Sequence, residues 1–128
     1  MLELALKTHV QVIDFWKFFV PSILVLLGWI FARKDPWPWP KRASVSVAYI
    51  GFAVFNVSGL IASYGMLETL VAEMKESKAI PGLTNKAFEA VVSRLDMGGW
   101  QIGIAFHIVV DLIVLYLILI SAGRKNAL

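Results

Sequence analysis

The chain has 128 residues, of which 59% are hydrophobic and only 16% charged, and its mean hydropathy is +0.73. Soluble domains run at roughly 45–50% apolar and about 25% charged, so one domain of this composition has lipid as its solvent. That excludes a doubly wound nucleotide fold, a disordered tail and a disulfide scaffold. The absence of cysteine removes disulfides, iron–sulfur ligation and zinc–thiolate sites, and a formal charge of only +3 gives no reason to expect nucleic acid.

In chain order, residues 1–14 read as an amphipathic segment. Leu2, Leu6, Val10 and Ile13 fall at helical spacing opposite Glu3, Lys7, Gln11 and Asp14, and Glu3–Lys7 is ordered for an i,i+4 ion pair. The segment lacks a basic leading region, so no cleavable signal is expected. Residues 15–32 are long and apolar enough for a first crossing; Lys17 can snorkel, and Pro21 frees the Lys17 carbonyl near the interface. Residues 33–42 read Arg-Lys-Asp-Pro-Trp-Pro-Trp-Pro-Lys-Arg, a stiff extended connector that reads first as a membrane anchor and second as a docking peptide.

A second crossing spans 43–67 without a charge. Residues 68–99 predict a helical extension toward Lys78, a stop before Pro81-Gly82, and an apolar stripe of Leu83, Ala87, Phe88, Val91, Val92 and Leu95 that ends at Gly98-Gly99. Residues 100–122 form a third crossing with one acid, Asp111, and 123–128 are a tail. Trp16, Trp37, Trp39 and Trp100 are the expected interface anchors. The predicted fold is an all-α integral membrane protein: one membrane domain over 1–128, with three transmembrane helices and amphipathic interfacial segments on its outer face. Those segments either lie flat in the interface, cover one another or grip a partner.

Orientation rests on basic residues. Arg33, Lys34, Lys41, Arg42, Arg124 and Lys125 abut spans on one side, while Lys7, Lys17, Lys75, Lys78, Lys86 and Arg94 are spread through longer segments on the other. The denser side is expected in the cytoplasm, with the N-terminus outside, in a bacterial inner membrane or an organelle membrane. The second span carries small residues (Gly51, Ser58, Gly59, Ala62 and Ser63), and its small-xxx-small pairs Ser58/Ala62 and Gly59/Ser63 make it the expected centre of the bundle.

The feature that calls for explanation is His107 with Asp111, four residues apart on one helix face. At ~1.5 Å per residue, Asp111 lies about 16 Å from Trp100 and about 20 Å from Arg124, the middle of a bilayer. Asn56 is expected at the depth of Asp111, with His107 one turn outward, and Tyr49 or Tyr116 completes the set. An acid there costs at least ~2.5–3.5 kcal/mol on insertion scales, so it faces protein. Four roles fit: an interhelical polar network, a proton or cation relay, a contact to a partner, quinone or lipid headgroup, and haem or metal ligation. His9 is the only other histidine and no third metal ligand is evident, so no metal is predicted, and a haem or quinone only with a partner subunit. No serine-hydrolase, zinc-protease or phosphate-loop motif occurs.

In size and span count the chain is similar to the three-helix anchor subunits of succinate dehydrogenase and fumarate reductase, which hold quinone and often haem. The resemblance is one of size; their helix sequences around the haem histidine have no counterpart here. The leading expectation is a small non-catalytic accessory subunit of a larger membrane complex, respiratory or transport, with lipid and other membrane subunits or itself as partners. The alternatives are a homo-oligomeric proton- or cation-conducting protein that uses Asp111 and His107, and an inner-membrane immunity protein.

Overall fold

The computed structural model describes residues 1–78 and 80–124, so Lys125 of the basic tail lies outside it. Four α-helices follow in order: α1 (Leu2–Phe31), α2 (Trp39–Ser77), α3 (Asn85–Leu95) and α4 (Trp100–Leu119), with a 3-10 turn at Ser121–Gly123 and no strand among the described residues. Three runs are long and apolar enough to cross a membrane: Leu2–Phe31, Trp39–Ser77, and Asn85–Gly123, whose apolar part is α4.

The amphipathic start and the first span form one uninterrupted helix. Asp14 and Lys17 lie i,i+3 apart on the exposed side of α1, 3.7 Å from each other, so the polar stretch between the two segments costs the helix nothing. Pro21 sits inside α1 without ending it. After Phe31, Pro36 and Pro38 keep the connector extended, and Pro38 then serves as the N-cap of α2 with proline again in the first turn, where no backbone donor is lost. At 39 residues and ~1.5 Å per residue, α2 is about 58 Å long, nearly twice a hydrocarbon core of ~30 Å. It ends at Lys78, whose left-handed φ of 52° turns the chain. Thr84 caps α3, its hydroxyl accepting from the Ala87 N–H at 3.3 Å. Gly99, at φ 77°, separates α3 from α4.

The helices meet along seams in which the step alternates between three and four residues. On α2 the buried series is Ser46, Tyr49, Ala53, Asn56, Leu60, Ser63, Leu67, Leu70 and Met74, with Tyr64 and Val71 beside it. On α4 it is Ile104, His107, Asp111, Val114 and Ile118. A mean step of 3.5 keeps one stripe facing its neighbour over many turns. Among the described residues, the buried polar side chains Ser46, Asn56, Ser63, His107 and Asp111 belong to these seams and Thr8 to the buried face of α1, while Phe18, Val25, Phe55, Ile102 and Leu112 point outward. Interior polarity and an apolar exterior reverse the pattern of a soluble bundle.

α2 packs on both α1 and α4. At one end, the Pro/Trp end, the Trp37 N–H donates to the Ala122 carbonyl at 2.8 Å. At the other, the α3 end, Ala5 of α1, Leu67, Leu70 and Met74 of α2, and Val92 and Leu95 of α3 share one apolar core. The amphipathic segments therefore cover one another: α3 closes the stripe that α1 and α2 carry beyond bilayer length.

Candidate functional site

The seams bring four polar side chains into one buried cluster between α2 and α4, closed by α1. His107 is 0% exposed and Asp111 6%. The two stand four residues apart on α4, so the carboxylate Oδ2 reaches His107 Nδ1 at 2.8 Å. Across the interface, the Tyr49 hydroxyl donates to Asp111 Oδ1 at 2.6 Å, and His107 Nε2 meets Asn56 Oδ1 at 2.9 Å. Asn56 Nδ2 donates to the Phe15 carbonyl of α1 at 3.4 Å. Phe19 stacks on the imidazole with centroids 3.6 Å apart, and Trp16 approaches it at 5.5 Å.

The bonds fix the protons. Flipping the Asn56 amide would turn its oxygen toward the Phe15 carbonyl, acceptor against acceptor, so Oδ1 faces His107 and Nε2 carries a hydrogen. Nδ1 and Oδ2 then share one further proton. With the proton on oxygen, a carboxylic acid donates to a neutral ring; with it on nitrogen, an imidazolium donates to a carboxylate. Both arrangements have zero net charge, which avoids the cost of an isolated buried ion. No atom of the four side chains is among the buried polar atoms without a partner. Both imidazole nitrogens are engaged in hydrogen bonds within the cluster, and the described residues contain no group of three His, Asp or Glu side chains that could hold a metal.

Of the residues singled out from the sequence, His107, Asp111, Asn56 and Tyr49 come together and Tyr116 does not. Its side chain is 54% exposed on the outer side of α4, because five residues from Asp111 is ~140° around a helix. The register differs by about one turn from that expected: His107, not Asp111, meets Asn56, and Asp111 meets Tyr49. Gly59 and Ser63 lie against the bundle, where a Cβ on Gly59 would run into the Phe15 ring. Gly51, Ser58 and Ala62 are exposed on the other side of α2. The expected run of small residues thus splits between two faces.

The tryptophans also divide. Trp39 is exposed, whereas Trp37 is buried between Trp29, Lys41 and the end of α4. Trp16 points inward, its indole N–H donating to the Tyr64 hydroxyl at 3.0 Å. Trp100 stacks on Tyr64 at 5.4 Å, and its N–H donates to Glu68 at 3.3 Å. Sequence reading missed Phe19 and Tyr64. The available signal was spacing: Trp16 and Phe19 are one turn apart on α1, and Tyr64 lies eight residues from Asn56 on α2. Compared with protein-family models, curated proteins and solved structures, the chain matches none.

Proposed function

We propose that this chain is a non-catalytic membrane subunit, crossing the bilayer three times with its Pro/Trp end in the cytoplasm, in which the His107–Asp111 cluster is a structural lock. The observation that carries this reading is closure of the hydrogen-bond set. The chain of bonds runs from Tyr49 through Asp111, His107 and Asn56 and stops at a backbone carbonyl of α1. The next polar pair, Trp16–Tyr64, adjoins His107 only through an indole face. Indole donates but does not accept, so a proton cannot pass along this route by successive transfer. Association with another subunit is supported by the outward face of α2, where exposed Gly51, Ser58 and Ala62 leave room for close approach of a second helix.

Purification from native membranes in mild detergent tests the subunit reading. A second membrane polypeptide should accompany the chain in fixed ratio, and Ala62→Leu should release it without altering the melting temperature of this chain. A homo-oligomer that carries proton or cation flux in vesicles, lost in Asp111→Asn, would refute the proposal and favour conduction. For topology, a reporter active only in the cytoplasm should work at the C-terminus and fail at the N-terminus.

A further inference from the structure

The geometry points to a binding site for the phosphate of an anionic phospholipid in the cleft at the Pro/Trp end, between the last turn of α1 and the first turn of α2. The site rests on the membrane reading above. Trp29, Arg33, Lys34, Trp37 and Lys41 line the cleft, together with one carboxylate, Asp35, so three cations face a single acid there. Lys41 Nζ stands 4.6 Å from the Trp29 ring centre and 4.3 Å from that of Trp37, so two indoles hold one ammonium in place. Between Phe15 and Leu67 the only acid is Asp35, against Lys17, Arg33, Lys34, Lys41 and Arg42. Among the described residues, none of Arg33, Lys34, Lys41, Arg42 and Arg124 has a carboxylate within 4.0 Å.

Two of these cations already have a task. Arg33 donates to the carbonyls of Ile30 and Ser121, and Arg42 to that of Leu119, so both guanidiniums cap the carbonyl ends of α1 and α4. Even so, the buried Nε of each lacks an acceptor. Lys34 and Lys41 cap nothing. The N-terminus of α2 opens beside the same cleft without a side-chain cap, and its dipole favours an anion there.

The chemistry therefore asks for a compact anion with several acceptor oxygens. A lipid supplies it best, because the half-exposed Trp29 continues into the exposed Val25 one turn back along α1. That apolar strip leads from the cleft into the hydrocarbon and suits an acyl chain. A zwitterionic headgroup brings its own cation and leaves the excess charge unanswered; a phosphatidylglycerol-type headgroup does not.

The test uses the full chain in vesicles of phosphatidylcholine with phosphatidylglycerol, extracted mildly and weighed by native mass spectrometry. The expected result is a retained phosphatidylglycerol adduct in excess of its bulk fraction. Each basic side chain near the surface contributes roughly fivefold, so the Lys34→Gln/Lys41→Gln double variant should lose about twenty-five-fold of that enrichment, while Lys17→Gln on the other side of the membrane loses none. Lys34 is exposed and Lys41 half-buried, and melting temperature checks that the double variant still folds. Equal retention of both lipids, or enrichment indifferent to the double variant, overturns the site. Displacement of the adduct by inorganic phosphate alone overturns the lipid assignment in favour of a free anion. Failure to resist carbonate extraction from either vesicle overturns the membrane reading itself, a result separate from loss of lipid preference.

Discussion

The His107–Asp111 cluster and the Pro/Trp end are two places where charge-bearing side chains meet a low dielectric, and they solve the problem in opposite ways. In the cluster, each polar atom finds its complement within the chain, and one shared proton holds the net charge at zero. At the Pro/Trp end, guanidiniums cap helix carbonyls and an ammonium rests on indole rings, so geometry is satisfied while charge is not. A closed network specifies how helices pack; an open one leaves a demand for something outside the chain. At the α3 end, two pairs of surface charges meet, Glu3–Lys7 at 2.9 Å and Asp96 against Lys75.

The most damaging way to break the closed site is Asp111→Leu. It leaves the Tyr49 hydroxyl and His107 Nδ1 buried without partners, each at a cost of ~1–3 kcal/mol. The expected loss is about 2–6 kcal/mol, read as a fall in melting temperature or earlier unfolding in detergent. An unchanged melt would mean that the cluster holds nothing together.

Gly59→Leu comes next, because the added side chain meets the Phe15 ring beside the Asn56–Phe15 bond. Overfilling such a contact costs ~1–3 kcal/mol. Ala62→Leu, on the exposed side of the same helix, should leave the melt of this chain where it was. Equal effects from the two would show that both faces of α2 are packed.

That pair of variants also marks what the sequence could convey. The number of long apolar helices, the break at Gly98-Gly99 and the polar character of His107, Asp111 and Asn56 were legible, because length, glycine and charge act locally. Which face of α2 is the inner one was not, because outward-facing and core-facing positions are both apolar, and hydrophobic periodicity then says little. The polar residues held the missing information. Ser46, Tyr49, Asn56 and Ser63 advance by steps of three or seven, and filling that series by threes and fours admits Gly59 or Leu60 and rejects Ser58 and Ala62. The continuity of α1 was hidden because Asp14 and Lys17 resemble an interface boundary, although they pair with each other on its outer surface.

Arg42→Gln probes the open end with a smaller effect. It removes a charge-assisted bond to the Leu119 carbonyl and the guanidinium over the Trp39 ring, worth about 1 kcal/mol at a helix C-terminus. Leu119 is eight residues from Asp111, ~12 Å along α4, so this loss should add to that of Asp111→Leu in the double variant. Strong non-additivity would show that the open end and the closed cluster act as one unit.

The smallest expected effect belongs to Asp111→Asn, and it is the most discriminating. The amide keeps the carboxyl's shape. Its oxygen can accept from Tyr49 where Oδ1 does now, and its NH2 can donate to His107 Nδ1 from the position of Oδ2. That requires a neutral imidazole with its hydrogen on Nε2, the form the Asn56 carbonyl oxygen already selects. The bonds are therefore conserved with the ionisable proton removed, and the melt should shift by less than about 1 kcal/mol in either direction. Nitrogen-15 spectra of the variant should show His107 as the Nε2–H tautomer. If the wild-type pair rests as imidazolium and carboxylate, the substitution changes the ring's charge, and the spectra of the two proteins will differ in that nitrogen pattern. A variant that loses several kcal/mol despite its matched hydrogen bonds would show that the lock depends on the ion pair, and that closure by geometry alone does not hold the helices.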